Sequence, residues 1–217
     1  LAARGVAVRL VTDAPCAPVV AAALQAAELG DACPLDVVAV EGFEGGEPLD
    51  DVEARLRALH PTHVVAIERC GPAADGRPRN ARGEDVGAWT APLERLFALG
   101  AITIGIGDGG NELGMGSLPL PVIAGAIAHG EVSACRTPAD VLVVAGVSNW
   151  AGIALALLLG LDVDGAMHDR LLEAISAAGA VDGITRAAGG TVDGVAADAH
   201  RVLVDRLLAL ARSERPA

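Results

Sequence analysis

Short β-branched runs alternate with Ala- and Leu-rich stretches along most of this chain, and that alternation restricts its fold more than any other feature. Runs at 6–11, 36–40, 63–67, 101–106 and 141–145 read as strands. The stretches 17–29, 50–59, 90–99 and 119–128 read as intervening helices. Further helices follow from Asn149, at 167–178 and at 195–212. Asp50 opens the second helix, with Glu53 placed as its capping-box partner. Leu203, Leu207 and Leu210 mark a core-facing stripe on the last one, and the helix from Asn149 is apolar all round and expected to be buried. Strand–helix alternation implies an α/β fold in three layers, a mostly parallel sheet with helices on both faces. The 217 residues suit one sizeable core, so 1–217 is expected to be a single domain.

Composition excludes several chemistries. Hydrophobic residues make up 52% of the chain and aromatics only 2%, so the core must be built from Ala, Val, Leu and Ile. The 16 basic residues are all Arg, and Tyr is absent. Without Lys there is no Schiff-base nucleophile, no pyridoxal-phosphate chemistry and no Walker-type phosphate loop. A net charge of −12 argues against nucleic acid and anionic membranes as partners. Cys16, Cys33, Cys70 and Cys135 form no CxxC pair and read as reduced cytosolic thiols, most of them buried. No signal peptide or membrane span is visible, and a cytoplasmic location is expected. The chain starts at Leu1 and runs almost at once into a strand, so a further N-terminal segment is expected.

In parallel α/β sheets, ligands bind beyond the carboxyl ends of the strands. Thr12-Asp13 follows the first strand, Glu68-Arg69 the third, and Ser148-Asn149-Trp150 the fifth. The fourth leads into Gly105-Ile-Gly-Asp-Gly-Gly-Asn-Glu-Leu-Gly-Met-Gly116, six glycines in twelve residues around Asp108, Asn111 and Glu112. Glycines let backbone N–H groups approach a ligand closely. Two carboxylates and an amide exceed what a turn needs and point to chemistry on a small polar molecule. The loop from Glu68 to Trp89 adds four of the arginines, from Arg69 to Arg82. Arginine grips carboxylates through paired hydrogen bonds, so a substrate carrying carboxylates is expected.

Gly105-x-Gly107-x-x-Gly110 matches the dinucleotide fingerprint, but it follows the fourth strand and lacks a suitably placed acid. The five His residues show no metal-ligand spacing and are expected at the surface or as caps. No cofactor is required by the sequence; a carboxylate set of Asp108, Glu112 and Glu68 suits a divalent metal, Mg²⁺ or Mn²⁺.

Three signatures together resemble one family. The first is Glu68-Arg69-Cys-Gly with Ala74-Asp75-Gly76 and Asn80-x-Arg82-Gly83-x-Asp85. The second is the glycine run 105–116. The third joins Ser148-Asn149-Trp150-Gly152 to the paired Val181-Asp182-Gly183 and Val192-Asp193-Gly194. They resemble the D-glutamate cyclase-like C-terminal domain family, in the stand-alone form found in bacteria, over nearly the whole chain. The family pattern also has a Gly/Thr/Asp-containing segment that would precede Leu1. The resemblance implies cyclisation of D-glutamate to 5-oxo-D-proline with loss of water, a lyase-type reaction.

That reaction needs a base for the α-amine, an acid near the γ-carboxyl, and donors for a tetrahedral oxyanion. Asp108 and Glu112, with Asn111 between them, are the catalytic candidates, either carboxylate serving as base or acid. The N–H groups of Gly109 and Gly110 are candidate oxyanion donors. Arg69 and Arg82 are candidate carboxylate clamps, with Glu68, Asp75 and Asn80 beside them in the binding loop. Ser148 and Asn149 are candidates to bind the amine or orient an acid. The expected partner is a small amino-acid substrate, and a homo-oligomer is compatible with the chain. The rival reading is a non-catalytic binder or sensor of a small acidic metabolite or nucleotide.

Overall fold

The computed structural model of the chain describes residues 5–214. In chain order the elements are β1 (Leu10–Asp13), α1 (Ala17–Ala26), β2 (Leu35–Val38), α2 (Leu49–Ala58), β3 (His63–Ile67), β4 (Ile102–Gly107), α3 (Leu120–Ala126), α4 (Gly130–Ser133), β5 (Val141–Val144), α5 (Ser148–Leu158), α6 (Gly165–Ala177), β6 (Thr191–Val192), β7 (Val195–Ala196) and α7 (Ala197–Ser213). The fold is α/β. Five strands form near the expected runs, the first at 10–13 rather than 6–11, but not as one sheet. β1 pairs with β2, while β3, β4 and β5 make a separate parallel sheet in that order. The backbone of β2 is engaged elsewhere: Glu47 donates to the Val37 carbonyl and accepts from the Ala39 N–H.

The described residues divide into two compact units. One comprises 13–15 and 37–152 and contains the three-stranded sheet. Its register aligns Ala66, Gly105 and Leu142 on one face. Ala66 and Leu142 pack there against a core of Leu113, Met115, Ile123, Ala134 and Cys135. Gly105 is required for this packing, because a Cβ would overlap the Leu113 carbonyl. The segment after β4 therefore folds back over its own strand. On the opposite face Val65, Ile67, Ile102, Val141 and Val143 remain substantially exposed.

The helices of this unit depart from the sequence expectation in detail. α2 begins at Leu49 after Pro48, with no side-chain cap. Asp50 and Glu53 instead bond Arg95, at 2.8 and 2.6 Å. The expected helix at 90–99 is a 3-10 turn, Leu93–Ala98. Its buried Leu93 and Leu96 repeat every three residues, the period of that helix.

In the other unit α1 packs on α6, and α6 on α7. Asp164 caps α6 by accepting the Met167 N–H at 2.7 Å. The buried stripe of α7 is His200, Val204 and Leu208, one residue away from the predicted one. It is set by the His200 ring, which is fully buried and stacks on His168 at 5.7 Å. Two of the histidines expected at the surface are thus interior. Leu158 of α5, expected to be buried, is 79% exposed. Asp193 and Gly194 both have positive φ and turn the β6–β7 hairpin, the conformation for which an Asp-Gly pair is suited. Among the described residues, no helix is long and apolar enough to cross a membrane.

Candidate active site

The chemistry-bearing residues gather beyond the carboxyl ends of β3, β4 and β5. Glu68 directly follows β3, and its N–H bonds the Ile106 carbonyl at 3.0 Å. It sits at φ 54°, left-handed backbone that is uncommon outside glycine and that concentrates at functional sites. After β4 the chain turns through Asp108 to Gly110 and then runs antiparallel to the residues after β3. Leu113 N–H bonds the Arg69 carbonyl at 2.8 Å, and Gly71 N–H bonds the Asn111 carbonyl at 2.9 Å. This short ladder sets Glu112 opposite Cys70. Carboxylate oxygens of Glu68, Asp108 and Glu112 consequently lie within 4.8 Å of one another.

The three carboxylates sit in different surroundings. Glu68 is exposed, Asp108 half-buried and Glu112 only 1% exposed. Glu112 Oε1 accepts the N–H groups of Gly109 at 2.7 Å and Asp108 at 3.2 Å. Its Oε2 is buried with no hydrogen-bond partner. Burial drives the Glu112 carboxyl above its ordinary proton affinity, against the opposing pull of those N–H bonds. Gly107 makes room for it: a Cβ there would come within 2.9 Å of Oε2. Asp108 Oδ2 accepts the Ser148 N–H at 2.7 Å and its hydroxyl at 3.1 Å, which ties the carboxylate to the start of α5.

The remaining expected site residues are distributed as follows. Asn111 is buried and acts behind the carboxylates. Its Nδ2 donates to the Arg79 carbonyl at 2.8 Å and to Cys70 Sγ at 3.2 Å, fastening the 68–89 loop to the glycine run. The Gly109 N–H, expected as an oxyanion donor, is taken by Glu112 Oε1, because a buried carboxylate recruits the nearest donors. Gly110 is packed instead against Ile123, where a Cβ would collide. Arg69, expected as a substrate clamp, is held inside the fold. It bonds Asp13 Oδ2 at 2.6 Å and the Ala91 carbonyl at 2.5 Å. Asp75 pairs with Arg79, and Arg77 with Asp85 at 2.9 Å. Asn80 caps its own turn by accepting the N–H groups of Arg82 and Glu84. The loop is thus internally stapled, with Arg82 at its exposed tip. Asn149 is exposed, one residue beyond Ser148 in the first turn of α5. Burial and the neighbouring Glu112 charge push the Cys70 thiol up to about 11, which disfavours its thiolate.

Residues 1–208 match the family described as D-glutamate cyclase-like, C-terminal. The chain belongs to that family. A human relative named "D-glutamate cyclase, mitochondrial" is 45% identical over 115 residues, covering 51% of this chain. The match spans 18% of the human protein's length. For this D-glutamate cyclase-like domain, the sequence pointed to the carboxylates but gave no role to Asp13. That residue is 1% exposed and holds Arg69 from 56 positions away. The available signal was its place directly after the first strand.

Proposed function

We propose that this chain catalyses the cyclisation of D-glutamate to 5-oxo-D-proline with release of water. One observation carries the reading: three carboxylates in graded burial converge beyond the strand ends of a D-glutamate cyclase-like domain. The reaction forms a bond from the α-nitrogen to the γ-carbon and breaks one γ C–O bond. The attacking ammonium gives up two protons in all, and the departing carboxylate oxygen takes up two to leave as water. Asp108, anchored by Ser148, is placed to accept protons from the amine. Glu112, which burial biases towards its protonated form, is placed to donate to the departing oxygen. Two nearby carboxyl groups in unlike surroundings supply base and acid together. Of the two arginines proposed as clamps, Arg82 is retained as the candidate for the substrate's α-carboxylate. Arg69 is reassigned to holding the 68–89 loop through Asp13.

The test is direct. The chain is incubated separately with D- and L-glutamate, and 5-oxoproline is followed by chiral chromatography and mass spectrometry. Formation of 5-oxo-D-proline from the D-isomer, lost in Asp108→Asn, is expected. Saturable binding of D-glutamate with no product would overturn catalysis and leave a small-acid sensor.

A further inference from the structure

We infer that Glu68, Asp108 and Glu112 form a binding site for one hard divalent cation of the Mg²⁺ or Mn²⁺ class. The inference concerns the site of the proposed cyclisation but does not depend on that reaction.

Proximity alone is weak support, since acidic groups cluster on many surfaces. Glu112 supplies the independent observation. It is 1% exposed, and its Oε2 is buried without a partner while Oε1 takes the N–H groups of Gly109 and Asp108. A buried acceptor is costly to leave unmatched. The cluster adds two further carboxylates, which offer acceptors and negative charge but no donor. A cation resolves both problems at once: it gives the Glu112 carboxylate a further partner and neutralises three converging acids.

The dimensions agree. Oxygens sharing one hard cation at about 2.0–2.6 Å lie roughly 3–5 Å apart. The three carboxylates offer oxygens within 4.8 Å of one another. An all-oxygen donor set selects Mg²⁺, Mn²⁺ or Ca²⁺ over softer metals. The surroundings resemble the support that metal ligands usually have. Asp108 is oriented by the Ser148 hydroxyl and N–H, and Glu112 by two loop N–H groups. The backbone at Glu68 is held in its left-handed conformation at the end of β3. Gly107 preserves the space beside Oε2 that a side chain would close. A cation in this position would hold Glu112 deprotonated and would itself supply, in place of a proton from Glu112, Lewis-acid polarisation of a carboxyl oxygen, the charge withdrawal that attack on a γ-carboxyl requires.

The test uses the metal-stripped full chain and Mn²⁺ alone, without substrate, followed by electron paramagnetic resonance and titration calorimetry. One Mn²⁺ per chain is expected, displaced by excess Mg²⁺. Glu112→Gln and Glu68→Gln should each weaken binding. Ser148→Ala, which removes one of two supports of Asp108, should weaken it about tenfold. Because Glu112 is interior, circular dichroism first checks that its variant folds; if it does not, the exposed Glu68→Gln decides. A folded wild-type chain that binds no Mn²⁺, or binding unchanged in Glu68→Gln, would overturn the site. Mn²⁺ binding without 5-oxoproline formation would leave the site intact and refute the cyclisation. Turnover unaffected by chelation, with no Mn²⁺ bound, would do the reverse.

Discussion

Replacing Arg69 with alanine separates a residue that serves the substrate from one that serves the fold. Its guanidinium makes two charge-assisted bonds, to Asp13 at 2.6 Å and to the Ala91 carbonyl at 2.5 Å. Asp13 is 1% exposed and the Arg69 side chain 18% exposed, so the pair is largely shielded from water. Hydrogen bonds to charged groups each contribute about 1.5–3 kcal/mol. Removing one partner of a buried pair costs about 3–5 kcal/mol, because the other charge is left uncompensated. Asp13 keeps one weaker bond, from the Ala91 N–H at 3.2 Å, and water gains some entry through the vacated volume. A loss of about 3–4 kcal/mol follows, which lowers a urea midpoint by roughly 1–2 M. Urea unfolding of wild type and Arg69→Ala, monitored by circular dichroism, measures it directly. A double-mutant cycle with Asp13→Ala should return a coupling near the upper end of about 0.5–3 kcal/mol. A loss below about 1 kcal/mol, the level of an exposed pair, would refute the reasoning. If KM for D-glutamate rose at the same time, Arg69 would be a carboxylate clamp after all.

Asp108→Asn keeps shape but cannot take a proton, so turnover should fall about 10²- to 10⁴-fold with the unfolding midpoint almost unchanged; steady-state kinetics check this, and full activity would move the base to another residue. Glu112 has a folded proton affinity above its ordinary value of 4.5, so its contribution to stability is present below that value and lost as pH rises through the folded one. In metal-free protein, wild type should therefore lose stability relative to Glu112→Gln as pH rises above about 4.5, and parallel urea titrations would contradict the assignment. Gly107→Ala should cost about 1–3 kcal/mol and most activity, because its Cβ would press within 2.9 Å of Glu112 and Met115; calorimetric melting and turnover test both. Iodoacetamide at neutral pH should label exposed Cys16 well before Cys70, whose thiol is pushed up to about 11; equal rates by peptide mapping would show Cys70 to be accessible and ionised.

Much of the scaffold was legible because its signals are local. β3, β4 and β5 lie within one or two residues of the β-branched runs that predict them, since side-chain branching and burial act on each strand separately. The glycine run marked a candidate site for the same reason: six glycines around two acids and an amide make poor helix or strand, but permit a tight return over β4. The Asp193-Gly194 turn was equally readable, being dictated by two residues with positive φ.

What only the tertiary structure decided were the partners of polar groups, because those depend on residues distant in the chain. Nothing local to Arg69 tells that Asp13 and Ala91 will absorb its donors, or that Arg95 will draw Asp50 and Glu53 away from capping α2. Nor does the run Gly105–Gly116 show by itself that Glu112 will turn inward and claim the Gly109 N–H that would otherwise face a ligand. The pairing of β1 with β2, and of β3 and β5 with β4, is a choice of the same kind. Sequence determined which residues carry charge and where the chain can turn. Folding determined which charges are spent on one another and which remain available for chemistry, since a buried polar group takes whatever partner the packed chain brings within reach.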